Sequence, residues 1–147
     1  MHISTLVHGP EHFAQSAGLV EPRPAKPQLA EVLKHIVGIQ HAAAFTTAHN
    51  ARISEWEVVA RGDLVLAKSH DGSNVVGFVE FHGCVAAGDD SLCISCIKLL
   101  DFESDQGRKQ TWRRSAEVLA VRTSEIQGTL IWADAGEGKV ASVKSIR

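Results

Sequence analysis

The sequence predicts a mainly β fold, a small distorted antiparallel barrel with an N-terminal arm and one short helix. Three observations carry that expectation. One hairpin with strict period-two alternation runs from Asp63 to His82, roughly seven or eight short strands follow one another with turn signals at close spacing, and no helical segment of crossover length separates them.

Residues 1–27 read as an extended arm or linker. Gly9-Pro10 interrupts it early, and Pro22, Pro24 and Pro27 remove backbone donors and bias their predecessors to extended geometry, leaving room for at most one helical turn around Glu11 to Ala17. A single domain is then expected over 28–147, opening with a helix at 28–38. Its stripe is Leu29, Val32, Leu33, Ile36 and Val37, spaced i, i+3, i+4, i+7 and i+8, and it ends near Gly38. Beyond Ala42, AAAFTT and Arg52 to Trp56 read as two short strands around a turn at His49-Asn50. A helix over Ala42 to Ala48 competes for the first of them, because Ala is the best helix former.

The hairpin itself places Leu64, Leu66 and Lys68 on one face and Val65, Ala67 and Ser69 on the other, with Val75 to His82 as the return strand. His70-Asp71-Gly72-Ser73-Asn74 reverses the chain, since Gly and Asn tolerate positive φ and Asp bonds its own backbone. A strand pair this apolar on both faces needs cover on both. Further on, Gly88 to Ser91 reads as a turn, Leu92 to Phe102 as a long strand, and Glu103 to Lys109 as a polar loop. Strands at Glu117 to Val121 and Thr129 to Ala133 flank a turn at Thr123 to Ile126, and Asp134 to Gly138 forms a hairpin loop into a last strand, Lys139 to Ile146.

Composition narrows the function classes. A 147-residue chain with 44% hydrophobic and 22% charged residues has the make-up of an ordinary soluble domain, and its net charge of −2 leaves no global basic footprint for nucleic acid. Aromatic cages and stacking platforms have to come from Trp56, Trp112, Trp132 and five Phe, because there is no Tyr. No signal-peptide pattern and no 18-residue apolar run occur, so no membrane partner is expected, and three cysteines fit a reducing, intracellular compartment better than a disulfide framework.

Several constellations carry chemistry on paper. His82, Cys84, Cys93 and Cys96 have the ligand types of a zinc knuckle, but a regular strand points Cys93 and Cys96 to opposite faces, so no metal and no cofactor are expected. His82 and Cys84 are the minimum of a cysteine nucleophile with its base; no third group or oxyanion site can be named, so no catalytic residue is assigned. His8 and His12 are four apart with Gly9-Pro10 between them. Gly136-Glu137-Gly138-Lys139 lacks the upstream Gly and the hydroxyl of a phosphate loop and reads as a turn. Arg108, Lys109, Arg113 and Arg114 surround Trp112, a pattern that suits phosphates and a stacked base; Asp101, Glu103, Asp105 and Glu117 offset its field.

In its succession of elements the chain resembles the bromo-adjacent homology (BAH) domain over about two thirds of its length, from Ala42 onward. The matching residues are Phe45-Thr46-Thr47, Gly62-Asp63-Leu64-Val65, Val76-Gly77-Phe78-Val79, Glu117-Val118-Leu119, and Ile126-Gln127-Gly128 with Thr129 to Trp132. Where the family has an aromatic and Arg-Pro-rich segment, this chain has Leu100-Asp101-Phe102-Glu103-Ser104. The resemblance implies an SH3-like to BAH-like barrel acting as an interaction module in chromatin-associated or mobile-element proteins, hence a nuclear setting among intracellular ones. The function expected is therefore non-catalytic binding of a protein segment, by an open strand edge or a groove beside Trp56, Phe78 and Trp112. The alternatives are a nucleic-acid-binding module using Arg108, Lys109, Arg113 and Arg114 and, third, a cysteine-dependent enzyme.

Overall fold

The expected hairpin forms, with its first strand one in from the end of the main sheet. The computed structural model describes residues 18–38 and 43–143, and in it β6 (Leu64–Lys68) pairs with β7 (Asn74–Ala87) from Leu64↔Phe78 to Lys68↔Asn74. At the turn the Asp71 carboxylate accepts from Ser73 N at 2.9 Å, from Ser73 Oγ at 2.6 Å and from the Ser69 hydroxyl, while Gly72 takes φ 88°. The Ser69 and Ser73 hydroxyls, with the Ser73 amide, hold the Asp71 carboxyl far below the usual carboxylate range. Both faces of the strand pair are covered, as its composition requires. Leu64 and Val76 pack with Leu100, Trp112 and Val140, whereas Val65, Ala67 and Val79 pack with Val59, Ile97, Val121 and Ile126.

Long strands extend the sheet. β7 turns at Gly88-Asp89 into β8 (Asp90–Gln106), which turns at Gly107-Arg108 into β9 (Lys109–Arg122). A 3-10 turn, Thr123–Glu125, leads to β10 (Ile126–Thr129) and β11 (Ile131–Gly136), and β12 (Lys139–Val143) follows. The order β10-β6-β7-β8-β9-β12-β11 is antiparallel throughout and curls into a half-barrel. Its two ends are consecutive stretches of one run, joined at Leu130, whose N–H donates to Leu64 O at 2.9 Å.

Register shifts permit the curl. One lies between Val79 and Phe81 on β7, and others lie between Lys98 and Leu100 and between Phe102 and Ser104 on β8. The extra residue at Glu80 also reverses the alternation, so His82 and Cys84 come to the face that Val75, Gly77 and Val79 occupy before it.

A smaller sheet lies over that face. β1 (Gly18–Val20), β4 (Asn50–Arg52) and β5 (Val58–Ala60) form it, and β2 (Arg23–Pro24) pairs with β3 (Ala44–Ala48), which pairs with β7. On the opposite face sits α1 (Pro27–Val37). Pro27 occupies its first turn, where the missing N–H is no loss, and Gly38 ends it at φ 70° with its N–H on Lys34 O. Leu33 and Val37 are fully buried against Val85, Leu92 and Ile94.

The structure departs from the expected boundaries in several places. Within the expected arm, residues 18–20 pair with β4 and residues 23–24 with β3, while Glu21 between them turns at φ 52°. Asn50, read as a turn residue, is in β4, while Ser54, Glu55 and Trp56 form a loop. Residues 44–48, by contrast, form the strand expected there and not the competing helix, because pairing with β7 outweighs alanine's intrinsic preference. The polar segment 103–109 is mostly strand with only Gly107 and Arg108 as its turn, and the turn after β11 contracts to Glu137-Gly138 at φ 51° and 74°. The helical turn at 11–17, His8, His12 and residues 144–146 lie outside the described residues.

Candidate functional site

Four polar groups are buried where the smaller sheet meets β7 and β8. His82 Nδ1 lies 2.7 Å from Ser95 Oγ, His82 Nε2 lies 3.0 Å from Val59 O, and Ser95 Oγ lies 2.9 Å from Thr123 Oγ1. A carbonyl only accepts, so Nε2 carries the proton; Nδ1 then accepts from Ser95, and Ser95 accepts from Thr123. Burial holds the imidazole below its usual value, partly offset by the Val59 bond. The three side chains are fully buried, so the arrangement locks the core.

Cys84 shares that face and is directly opposite Cys93 in the register. Cys96 is buried, and its thiol is pushed up to about 11 by burial and by Glu80. Cys93 and Cys96 lie on an uninterrupted strand, and no group of three His, Cys, Asp or Glu able to hold a metal occurs among the described residues.

The basic segment is divided by its strand. Arg108 is in the turn; Lys109 and Arg113 share one face of β9, while Trp112 and Arg114 share the other. Arg113 is bound by Glu103 at 3.2 Å, and Glu103 also holds Lys139 at 2.9 Å. These cations, the Lys139 bond first, keep the Glu103 carboxyl below its usual range. Trp112 is only 9% exposed, donates to Ser142 Oγ at 2.9 Å and meets Phe102 edge-on at 5.4 Å.

Of the residues expected to form a site, Phe78 and Arg114 come together. The guanidinium stands 4.9 Å over the Phe78 ring, and Trp132 meets the same ring edge-on at 4.8 Å. Trp132 was not among the expected site residues. Alternation alone put it on one face of a strand, but nothing local said that Phe78 lay opposite. Trp112 sits in the core cluster that Phe78 packs against and borders a groove of about 580 Å³ with Leu66, Val76, Leu100, Phe102 and Leu130, and Trp56 stands 91% exposed on the β4–β5 loop.

Trp132 belongs to the strand at the end of the sheet. Every residue of β11 is exposed, Ile131 to 78%, and among the described residues β11 pairs with β12 alone. Asp134, its one charge, is turned back to accept from Gly136 N at 2.8 Å. A second opening of about 270 Å³ has Ile36, Leu92, Ile94 and Ala120 in its lining, with Lys68, His70, Arg122 and Glu125 also bordering it.

Comparison with protein-family models, with curated proteins and with solved structures gives no match for this chain. No helix among the described residues is long and apolar enough to cross a membrane.

Proposed function

We propose that this chain is a non-catalytic interaction module, an SH3-like to BAH-like half-barrel that takes an extended protein segment as an added strand along the outer edge of β11. The observation that carries this reading is the edge itself. Ile131 to Gly136 is exposed throughout and has no Lys and no Pro, two of the usual devices by which proteins blunt a free strand. Backbone pairing supplies affinity in such a complex, and alternate side chains supply selectivity. Trp132, with Phe78 and Arg114 behind it, gives the incoming segment an aromatic contact and a cation beside it. The chromatin-associated or mobile-element setting, and with it a nuclear one, rests on the BAH-like resemblance alone.

Nucleic-acid binding through Arg108, Lys109, Arg113 and Arg114 has weaker support. Opposite faces of β9 separate those cations, and Glu103 occupies one of them. The test is selection of extended peptides of about ten residues from a random display library, a length that spans a strand with margin. Peptides selected on the native protein should lose at least about tenfold in affinity on the Ile131→Lys/Ala133→Lys double variant, which guards the edge with charge. Equal binding to both proteins would overturn the reading. So would selected peptides whose binding depends on Lys109 and Arg113 and weakens steeply with salt.

A further inference from the structure

The geometry points to Cys84 and Cys93 as a thiol pair that peroxide converts to a cross-strand disulfide. The two-residue turn at Gly88-Asp89 closes on Ala87↔Asp90, and Gly88 at φ 63° suits the first position of a type II′ turn. Such a turn closes on a hydrogen-bonded pair, and hydrogen-bonded and open pairs then alternate along the ladder. Cys84↔Cys93, three pairs further on, is therefore an open pair, in which Cα atoms stand about 4.5 Å apart and side chains come closest. His82↔Ser95 has the same parity, and there the side chains already meet at 2.7 Å. A separation of about 4.5 Å falls within the Cα range that a disulfide spans, about 4.4–6.8 Å.

Chemistry agrees with geometry. The interaction between the two thiols draws the Cys84 thiol below its usual value and, together with burial, pushes Cys93 up. Both residues are part-exposed rather than sealed in the core.

The reaction balances with hydrogen peroxide as oxidant. Cys84 thiolate attacks one peroxide oxygen, the O–O bond breaks, and the departing hydroxide takes up the proton that Cys84 released and leaves as water, so Cys84 becomes a sulfenic acid. Cys93 Sγ then attacks the Cys84 sulfur; the S–O bond breaks, the hydroxyl leaves with the Cys93 proton as a second water, and the S–S bond forms. The two thiols are oxidised by two electrons and the peroxide is reduced by two. The product ties β7 to β8 just below their turn.

Intact-mass analysis of the full chain after peroxide, followed by non-reducing peptide mapping, tests the assignment. The expected result is a loss of about 2 Da reversed by dithiothreitol, with Cys84 and Cys93 in one linked peptide. Cys96→Ser should keep that loss, and Cys84→Ser and Cys93→Ser should abolish it. Persistence of the 2 Da loss in either of the last two variants, or a gain of about 32 Da on Cys84 without cross-linking, would overturn it. Peptide mapping of the unsubstituted protein decides the matter by itself if a serine variant fails to fold.

Discussion

His82 and Ser95 face each other across β7 and β8, with Nδ1 2.7 Å from Oγ, and the bulge at Glu80 is what turns His82 toward that partner. Both ring nitrogens are engaged. Val59 O takes the remaining imidazole N–H, Thr123 extends the chain on the other side, and all three side chains are fully buried. A buried network with every member satisfied fixes one core arrangement, at the cost of intolerance to charge.

That intolerance predicts a pH dependence. Burial lowers the His82 pKa in the folded state, so between its unfolded value, about 6.5, and the folded value the unfolded chain binds a proton that the folded chain does not. More protons on the unfolded side means that stability rises with pH: the His82 contribution is full above about 6.5 and is lost as pH falls below it, by up to ~1.4 kcal/mol per unit until the folded value is reached. Urea midpoints at about pH 7.5, 6.5 and 5.5 will show the fall, and a His82→Gln variant will lose that segment of the slope.

Two glycines of β7 should differ in what an added methyl does. A Cβ on Gly77 would run into the Ile97 side chain and the Lys98 carbonyl, and the backbone contact cannot yield without displacing β8. The nearest atoms a Cβ on Gly83 would meet belong to the Leu33 side chain on α1, the first at 2.8 Å. Gly77→Ala should cost about 3 kcal/mol or more, and Gly83→Ala about 1–2 kcal/mol. Leu33→Ala, itself destabilising, should remove most of the Gly83→Ala penalty in a double-mutant cycle, whereas it should leave the Gly77→Ala penalty unchanged.

The three tryptophans should separate by fluorescence. Trp56 is 91% exposed, Trp132 is exposed to 40%, and Trp112 is enclosed with its N–H on Ser142. Trp56→Phe should remove the red-shifted emission that acrylamide quenches fastest and change stability by less than about 0.5 kcal/mol. Trp112→Phe should remove the blue-shifted, protected component, and Ser142→Ala should cost about 1 kcal/mol by leaving the buried indole N–H unmet.

Much of this fold was legible locally. Alternation from Leu64 to Lys68, the turn chemistry of Asp71-Gly72-Ser73 and the apolar stripe of α1 each reflect contacts within a few residues, so the sequence carries them directly. Strand continuation through Glu103 to Gln106 was not legible, because an exposed strand has no apolar period. The edge at β11 was legible as a strand but not as an edge, since its place at the end of the sheet depends on pairing with distant residues. The same limit hid the meeting of Phe78 with Trp132 and of Cys84 with Cys93. Trp112 belongs to the core, and no local pattern distinguishes a core Trp among cations from a stacking one.

The outer edge of β11 is the central claim, and a backbone amide NMR titration of the full chain with a library-selected peptide tests it most directly. Binding should shift the amides of Ile131 to Ala135 and the Trp132 indole, and slow hydrogen exchange at the β11 amides that do not face β12. Shifts confined to the groove at Leu66 and Leu100, or to Lys109 and Arg113, with β11 unmoved, would contradict the account.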